Sequence, residues 1–436
     1  MEWWQIISFL IGGLLFLLAL GLPIAFSFLL VNLVGSFIFI GGATGLNLAV
    51  QQIFTSLTSF ALAPIPLFVF MGELMLHSGM AKRALDVLDK WIGKLHGRLS
   101  LIVIAGGTLF STLSGSTIAN TAMLGEIMVP EMLDRGYKKP MILGPIVGVG
   151  GLAMLIPPSA LAVVYASLAQ ISVGKVLIAG AIPGLILAFL YALYVVSRCM
   201  IDRSLAPPYE VAHHPLSEKL TDLVKYVLPL GIIFFLVLGF IFLGIATPTE
   251  AAATGTLGSI ILAAAYKKMN VTILKKSITG TLHVTVMTFL IIAASKTYSS
   301  ILAYTGSTMG LVNLISDFEM SRYVILIAMM IILMILGTFM DQVSMMMITI
   351  PIYIPLLDGL QFDTIWFAVL MLLNLEMAMT TPPFGLLLFV MKGTAPPGTT
   401  MGDVCKAAVP FLTCDLIVMI MIIAFPSIAL FLPGLM

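Results

Sequence analysis

The runs IMVPEML (127–133) and AMLIPPS (153–159) return as TIPIYIPLL (349–357) and AMTTPPF (378–384), and this recurrence decides the fold. Pro130 recurs as Pro355, Pro157–Pro158 as Pro382–Pro383, and upstream Pro23 as Pro248, all at an offset of 225 residues. Proline inside an apolar segment removes a backbone donor and leaves a carbonyl without its partner. Within lipid that is tolerated only where protein or a water-filled cavity satisfies the freed groups. Paired interruptions at matching places in two halves point to the binding site of a secondary transporter.

Composition agrees. The chain has 436 residues, 60% hydrophobic and 9% charged, with a mean hydropathy of +1.13. Soluble domains carry about a quarter charged residues, so this is an all-α polytopic membrane protein. A net charge of +1 gives no field for nucleic acid. Cys199, Cys405 and Cys414 lack metal-ligand spacing. The start, MEWWQIISFLIGG, lacks the basic region and cleavage site of a signal peptide and reads as a retained first span.

Basic residues set the topology. Lys82, Arg83, Lys90, Lys94 and Arg98 form one cluster, and Arg135, Lys138 and Lys139 a second. Arg198, Arg203, Lys219 and Lys225 form a third, and Lys267, Lys268, Lys275 and Lys276 a fourth. With Lys392 and Lys406 these hold 18 of the 21 basic residues, so all these loops belong in the cytoplasm. Residues 99–134 lie between two such loops and must enter and leave on one side. Their polar centre, STLSGST (111–117), makes them a re-entrant helical hairpin rather than one kinked span. The partner is 321–358, with the tip GTFMDQ (337–342).

Spans are expected near 4–20, 23–41, 51–80, 140–171 and 175–197, then 226–246, 249–266, 277–304, 364–391 and 405–433. Five spans per half is odd, so the repeats have inverted topology and the N-terminus lies outside. The first repeat is 1–198, with a cytoplasmic-side hairpin. The second is 225–436, with an extracytoplasmic-side hairpin. Between them, 199–224 is a polar cytoplasmic linker whose His213 and His214 read as solvated residues rather than metal ligands.

Two hairpin tips and two Pro-Pro-broken transmembrane helices then converge. Broken helices expose carbonyls, which with hydroxyls suit a hard cation such as sodium, while half-helix N-termini favour an anion. The first candidate sodium site is Ser111 and Ser114 with the carbonyls of Ala153, Ile156 and Pro158. The second is Gly337, Thr338, Ala378, Thr381 and Pro383. Ser116, Thr117, Asn120, Ser159, Asp341 and Gln342 are candidates for substrate binding and coupling. For a single hydroxyl, a bond to a carbonyl one turn back is the ordinary alternative. Ionisable residues within spans are functional hypotheses by default: Glu73, Glu126, Glu250, Lys296, Asp341, Glu376 and Asp415. Lys296 either attracts an anion from the outer side or snorkels to the surface. No phosphate loop, HExxH or nucleophile triad is present, so no enzyme or cofactor is expected beyond sodium as the coupling ion.

The run SGSTIANTAMLGEIMVPEMLDRGYKKP (114–140), followed by GPIVGVGGLAMLIPPS (144–159), resembles the large membrane subunit of tripartite ATP-independent periplasmic (TRAP) transporters. So do GIATPTEAAATG (244–255), GTFMDQVSMMMITIPIYIPLL (337–357) and TTPPFGLLLFV (380–390). Alanine stands at Ala153 and Ala378, where the family usually carries glycine. The resemblance implies a sodium-driven importer of organic acids in a prokaryotic cytoplasmic membrane, and hairpins that move with the broken spans as an elevator. It also implies two partners: a separate small four-span (DctQ-like) membrane subunit and an extracytoplasmic (DctP-like) substrate-binding protein. A self-sufficient sodium or proton symporter of the wider ion-transporter group is the alternative. A channel lacks its continuous polar pore lining here, and a membrane enzyme its acid–base or metal set.

Overall fold

Shifting the first half by 225 residues lays it on the second almost helix for helix. Trp3–Ala19 falls on Leu228–Phe242, Ile24–Ser36 on Pro248–Ala265, and Thr117–Asp134 on Gln342–Gly359. Lys139–Gly151 falls on Thr364–Thr380, and Ala160–Ala169 on Leu386–Thr394. The computed structural model describes residues 2–93, 95–114, 116–207, 215–317, 320–337, 340–382 and 385–436, with the backbone alone at 81, 112–114 and 315–317. Every regular element among the described residues is helical, and seven helical stretches are long and apolar enough to cross a membrane.

The recurring prolines do three different things. Pro23 caps and Pro248 opens a helix, where the missing N–H costs nothing. Pro130, and Pro351 with Pro355, sit inside Thr117–Asp134 and Gln342–Gly359, which run on past them. Only the Pro-Pro pairs fall at true breaks, between Gly151 and Ala160 and between Thr380 and Leu386.

Residues 98–134 form an antiparallel pair, Arg98–Ser114 and Thr117–Asp134. Tyr137 OH accepts the Leu99 N–H at 3.1 Å, closing the base, while Asn120 Nδ2 donates to the Gly107 carbonyl at 3.4 Å near the tip. Arg322–Leu336 and Gln342–Gly359 pair likewise, with Tyr353 OH donating to the Met329 carbonyl at 3.0 Å.

Three expected spans are divided: 175–197 is interrupted at Gly180, 405–433 ends its main helix at Ala424 before Pro426, and 51–80 is cut most deeply. Residues 51–80 hold two helices, Ala43–Leu57 and Pro64–His77, because Pro64 and Pro66 lack the donors a continuous helix needs. The second-half counterpart, Val271–Tyr304, lacks proline and runs unbroken for 34 residues, about 51 Å. It packs against Pro64–His77, Ile24–Ser36 and Gln342–Gly359.

The basic loops gather. Lys90 pairs with Glu218 and Asp222, each at 2.6 Å, and these carboxylates (Asp222 first) hold its ammonium above the usual lysine range. Lys138 Nζ donates to Ser204 Oγ at 2.6 Å, and Lys139 pairs with Asp403 at 3.1 Å. The expected linker thereby touches the loops at both ends of the first hairpin. His213 and His214 lie outside the described residues.

Candidate functional site

The two broken spans are the most enclosed helices in the molecule. Every residue from Met141 to Gly151 and from Trp366 to Thr380 is buried. Around them the hairpin tips meet: Gln342 Nε2 donates to Thr117 Oγ1 at 3.1 Å. These two residues are repeat mates, 225 apart. Gly151 and Glu376 are mates as well, and a methyl group on Gly151 would stand 2.4 Å from Glu376 Cγ. A rotation that exchanges two halves brings a residue onto its own mate only at the rotation axis. Tips and broken spans therefore surround one pseudo-two-fold axis.

On the first-half side Ser111 is the hub. Its hydroxyl donates to the Val149 carbonyl at 3.3 Å and accepts from Asn120 Nδ2 at 2.9 Å. Asn120 Oδ1 is buried and has no hydrogen-bond partner among the described residues. Nor do the carbonyls of Ile156 and Pro158 accept a hydrogen bond there. Ala153, Ile156 and Pro158 are all buried beside the break. Unclaimed neutral oxygens of this kind are the donor set a hard cation takes. Ser114 is in the helix, but its side chain lies outside the described residues.

On the second-half side Gly337 packs on Ala378, and a methyl on Gly337 would stand 2.3 Å from Ala378 Cβ. Thr381 Oγ1 donates to the Met377 carbonyl at 2.6 Å, the ordinary bond one turn back. That bond uses the hydroxyl proton and leaves oxygen lone pairs. The Thr381 carbonyl accepts the Gly385 N–H at 3.1 Å. Thr338 and Pro383 lie outside the described residues.

Three candidate coupling residues are helix caps. Ser116 accepts the Ala119 N–H and Ser159 the Ala162 N–H, each at 3.3 Å. Asp341 accepts the N–H groups of Val343 at 3.1 Å and Ser344 at 3.4 Å, together with the Ser344 hydroxyl. Each satisfies donors that a restarting helix leaves open.

The other intramembrane charges separate by environment. Glu250 closes a capping box with Thr247. Glu73 pairs with His77 at 3.2 Å and lies over Gly280. Glu126 lines a 370 Å³ cavity with Lys82, Asp86, Asp89 and Glu131. Glu376 and Asp415 share one partner: Tyr191 OH donates to Asp415 Oδ1 and lies 3.5 Å from Glu376 Oε1. All three are buried. Reading the residues in order does not find Tyr191, which no local spacing relates to either acid. The legible signal was that Glu376 faces a glycine mate, which leaves it room.

With that geometry in place, comparison with known proteins is informative. Residues 11–428 match the family described as the DctM component of the tripartite ATP-independent periplasmic transporters. The chain belongs to this family. It is 31% identical over 386 residues to the C4-dicarboxylate TRAP transporter large permease protein DctM of Pseudomonas aeruginosa, covering 88% of each chain. It is 28% identical over 433 residues to the sialic acid TRAP transporter large permease protein SiaM of Vibrio cholerae, covering 98% of each. Such relatives are permease subunits of tripartite systems and not enzymes. The crystal structure of the YdaH transporter of Alcanivorax borkumensis superimposes with a TM-score of 0.62 at 14% identity, over 89% of this chain and 91% of that one, a likeness of fold. Membership of a tripartite family removes the support for a self-sufficient symporter.

Proposed function

We propose that this chain is the large permease subunit of a sodium-coupled secondary transporter that imports an organic acid across a prokaryotic inner membrane. An extracytoplasmic binding protein delivers the acid, a small four-span subunit completes the permease, and the N-terminus is extracytoplasmic. The observation that carries the reading is the meeting of repeat mates, Thr117 with Gln342 and Gly151 with Glu376. It draws two capped helix restarts and two clusters of carbonyl and hydroxyl oxygens into one buried region. Sodium would be held by Ser111 with the Ala153, Ile156 and Pro158 carbonyls in one half, and by Thr381 with the Gly337 and Ala378 carbonyls in the other. Ser114, Thr338 and Pro383 complete the proposed sets. Two relatives are named for C4-dicarboxylate and for sialic acid, which supports an organic acid as the cargo.

The test is uptake by proteoliposomes holding both membrane subunits, with the binding protein and its co-purifying acid outside. Uptake is expected to require the binding protein and an inward sodium gradient. Ser111→Ala should raise the sodium concentration for half-maximal uptake without lowering the yield of folded protein. Uptake that proceeds without sodium, or without the binding protein, overturns the reading.

A further inference from the structure

About one helix length from the first break, a 680 Å³ cavity opens between Ala43–Leu57, Ala160–Ala169 and Val271–Tyr304. Lys296 lines it, together with Gln52, Gln170, Ser167, Ser299 and Ser300. We propose that this cavity is a loading site for a singly charged organic anion rich in hydroxyl or amide groups, with the anionic group on Lys296. The proposal rests on the permease reading and adds a place and a chemical class to it.

Charge comes first. Lysine within a span is costly and demands a reason. Snorkelling would carry the ammonium along the helix toward the membrane surface, whereas Lys296, half-buried, lines a half-open space between three helices. Among the described residues it forms no ion pair, and no carboxylate lines the cavity. One unpaired cation in a partly desolvated wall raises the local concentration of anions. It neutralises one anionic group. A second carboxylate would lose hydration against this wall with no counter-charge among the lining residues, which is unfavourable.

The rest of the wall is built for hydrogen bonding. Lys296, Ser299 and Ser300 follow at i, i+3 and i+4, so they share one helix face. Gln52 and Thr55 with Ser56 repeat that spacing on the opposite wall. Thr55 and Ser56 donate to the carbonyls of Gln51 and Gln52, each at 2.6 Å, and so present only acceptor lone pairs to the cavity. Ser167 Oγ is enclosed and has no hydrogen-bond partner among the described residues. Two amides and a set of hydroxyls match a ligand whose body both donates and accepts. Orientation follows from the helix dipole. Ser167 and Gln170 stand at the C-terminal end of Ala160–Ala169, where the partial charge is negative. The ligand's polar body faces that end, and its anionic group faces Lys296. Ala160–Ala169 begins at the Ser159 cap beside the first break, ten residues or about 15 Å away. The cavity is therefore a station before the tips rather than part of them.

The test uses the complete transporter in sealed vesicles, with a Ser299→Cys reporter and the parent protein as the blank for native cysteines. Anionic sulfonatoethyl and cationic trimethylammonioethyl methanethiosulfonates are the probes. Lys296 should favour the anionic reagent over the cationic one by about tenfold relative to Lys296→Met. Lys296→Arg should keep the preference, and gel filtration verifies that each variant folds. Gluconate should slow the labelling, and succinate and glycerol should slow it much less. An unchanged reagent ratio in Lys296→Met, or equal protection by gluconate and succinate, overturns the proposal. Wild-type sodium- and binding-protein-dependent uptake by Lys296→Met overturns the loading site while leaving the permease reading standing. Loss of the sodium or binding-protein requirement in the parent overturns that reading instead, and the labelling then decides the cavity alone.

Discussion

Ser116, Ser159 and Asp341 occupy one kind of position, the N-cap of a helix that restarts in the buried centre of the molecule. Asp341 does most there, because it accepts two backbone N–H groups and the Ser344 hydroxyl. Its carboxylate serves tip geometry first, whatever charge it also lends to a nearby ion. Asparagine caps about as well as aspartate, while alanine costs about 1 kcal/mol. Asp341→Ala should therefore lower the melting temperature of the detergent-solubilised protein, and Asp341→Asn should stay near the parent in both stability and sodium dependence. A stable Asp341→Asn protein with much weaker sodium activation would show instead that the charge itself is required. The sequence marks these residues as polar breaks in apolar helices, and so as belonging to the site. It does not separate a cap from a ligand, because both need an oxygen at the same place.

At the scale of elements, proline was legible only in part. A Pro-Pro pair removes two successive donors, and both pairs fall at breaks. Pro130 and Pro355 each remove one, and the buried helices around them hold their course under tertiary packing. Pro64 and Pro66 divide a span that hydropathy joins, since an apolar run does not register a missing N–H. The contacts between elements were less legible still. Tyr191 meets Glu376 and Asp415 across 185 and 224 residues, with no local pattern to announce it. Glu376 is accommodated because its mate is Gly151. A methyl there would meet Glu376 Cγ at 2.4 Å and Oε1 at 2.5 Å. Overpacking of this kind costs about 1–3 kcal/mol. Gly151→Ala should lower thermal stability and impair uptake. Gly393→Ala, where nothing stands within 4 Å of the added methyl, should be neutral or mildly stabilising. Equal melting temperatures for both variants would show that the broken spans do not meet closely at the axis.

At the scale of the whole molecule, the helices divide by enclosure. The first limbs of the broken spans, Met141–Gly151 and Trp366–Thr380, are buried throughout and pack against Met401–Ala424, and Ala181–Ile201 packs there too. Trp3–Ala19, Leu228–Phe242 and Val271–Tyr304 keep large apolar side chains exposed, and so do Ala181–Ile201, Arg322–Leu336 and Met401–Ala424 around the enclosed limbs. We propose that these enclosed limbs and the hairpins move as a carrier against the remaining helices, the elevator that the family resemblance implies. A contact inside the carrier persists through the cycle, and a contact between carrier and frame must break. In the proposed elevator, Lys139 and Asp403, 3.1 Å apart at the ends of Lys139–Gly151 and Met401–Ala424, are of the first kind. Ser295 would be of the second: its hydroxyl donates to the Met347 carbonyl at 3.3 Å, tying Val271–Tyr304 to the second hairpin. Paired cysteines at 139 and 403, joined by a short bismaleimide, should leave uptake largely intact. The disulfide formed in Ser295→Cys/Met347→Cys by copper phenanthroline should arrest uptake, and reduction should restore it. Each single-cysteine variant, treated in the same way, accounts for Cys199, Cys405 and Cys414. Arrest by both links would mean that the carrier deforms internally as it works. Arrest by neither would mean that the long helix travels with the hairpin, and the frame would then have to be sought among other helices.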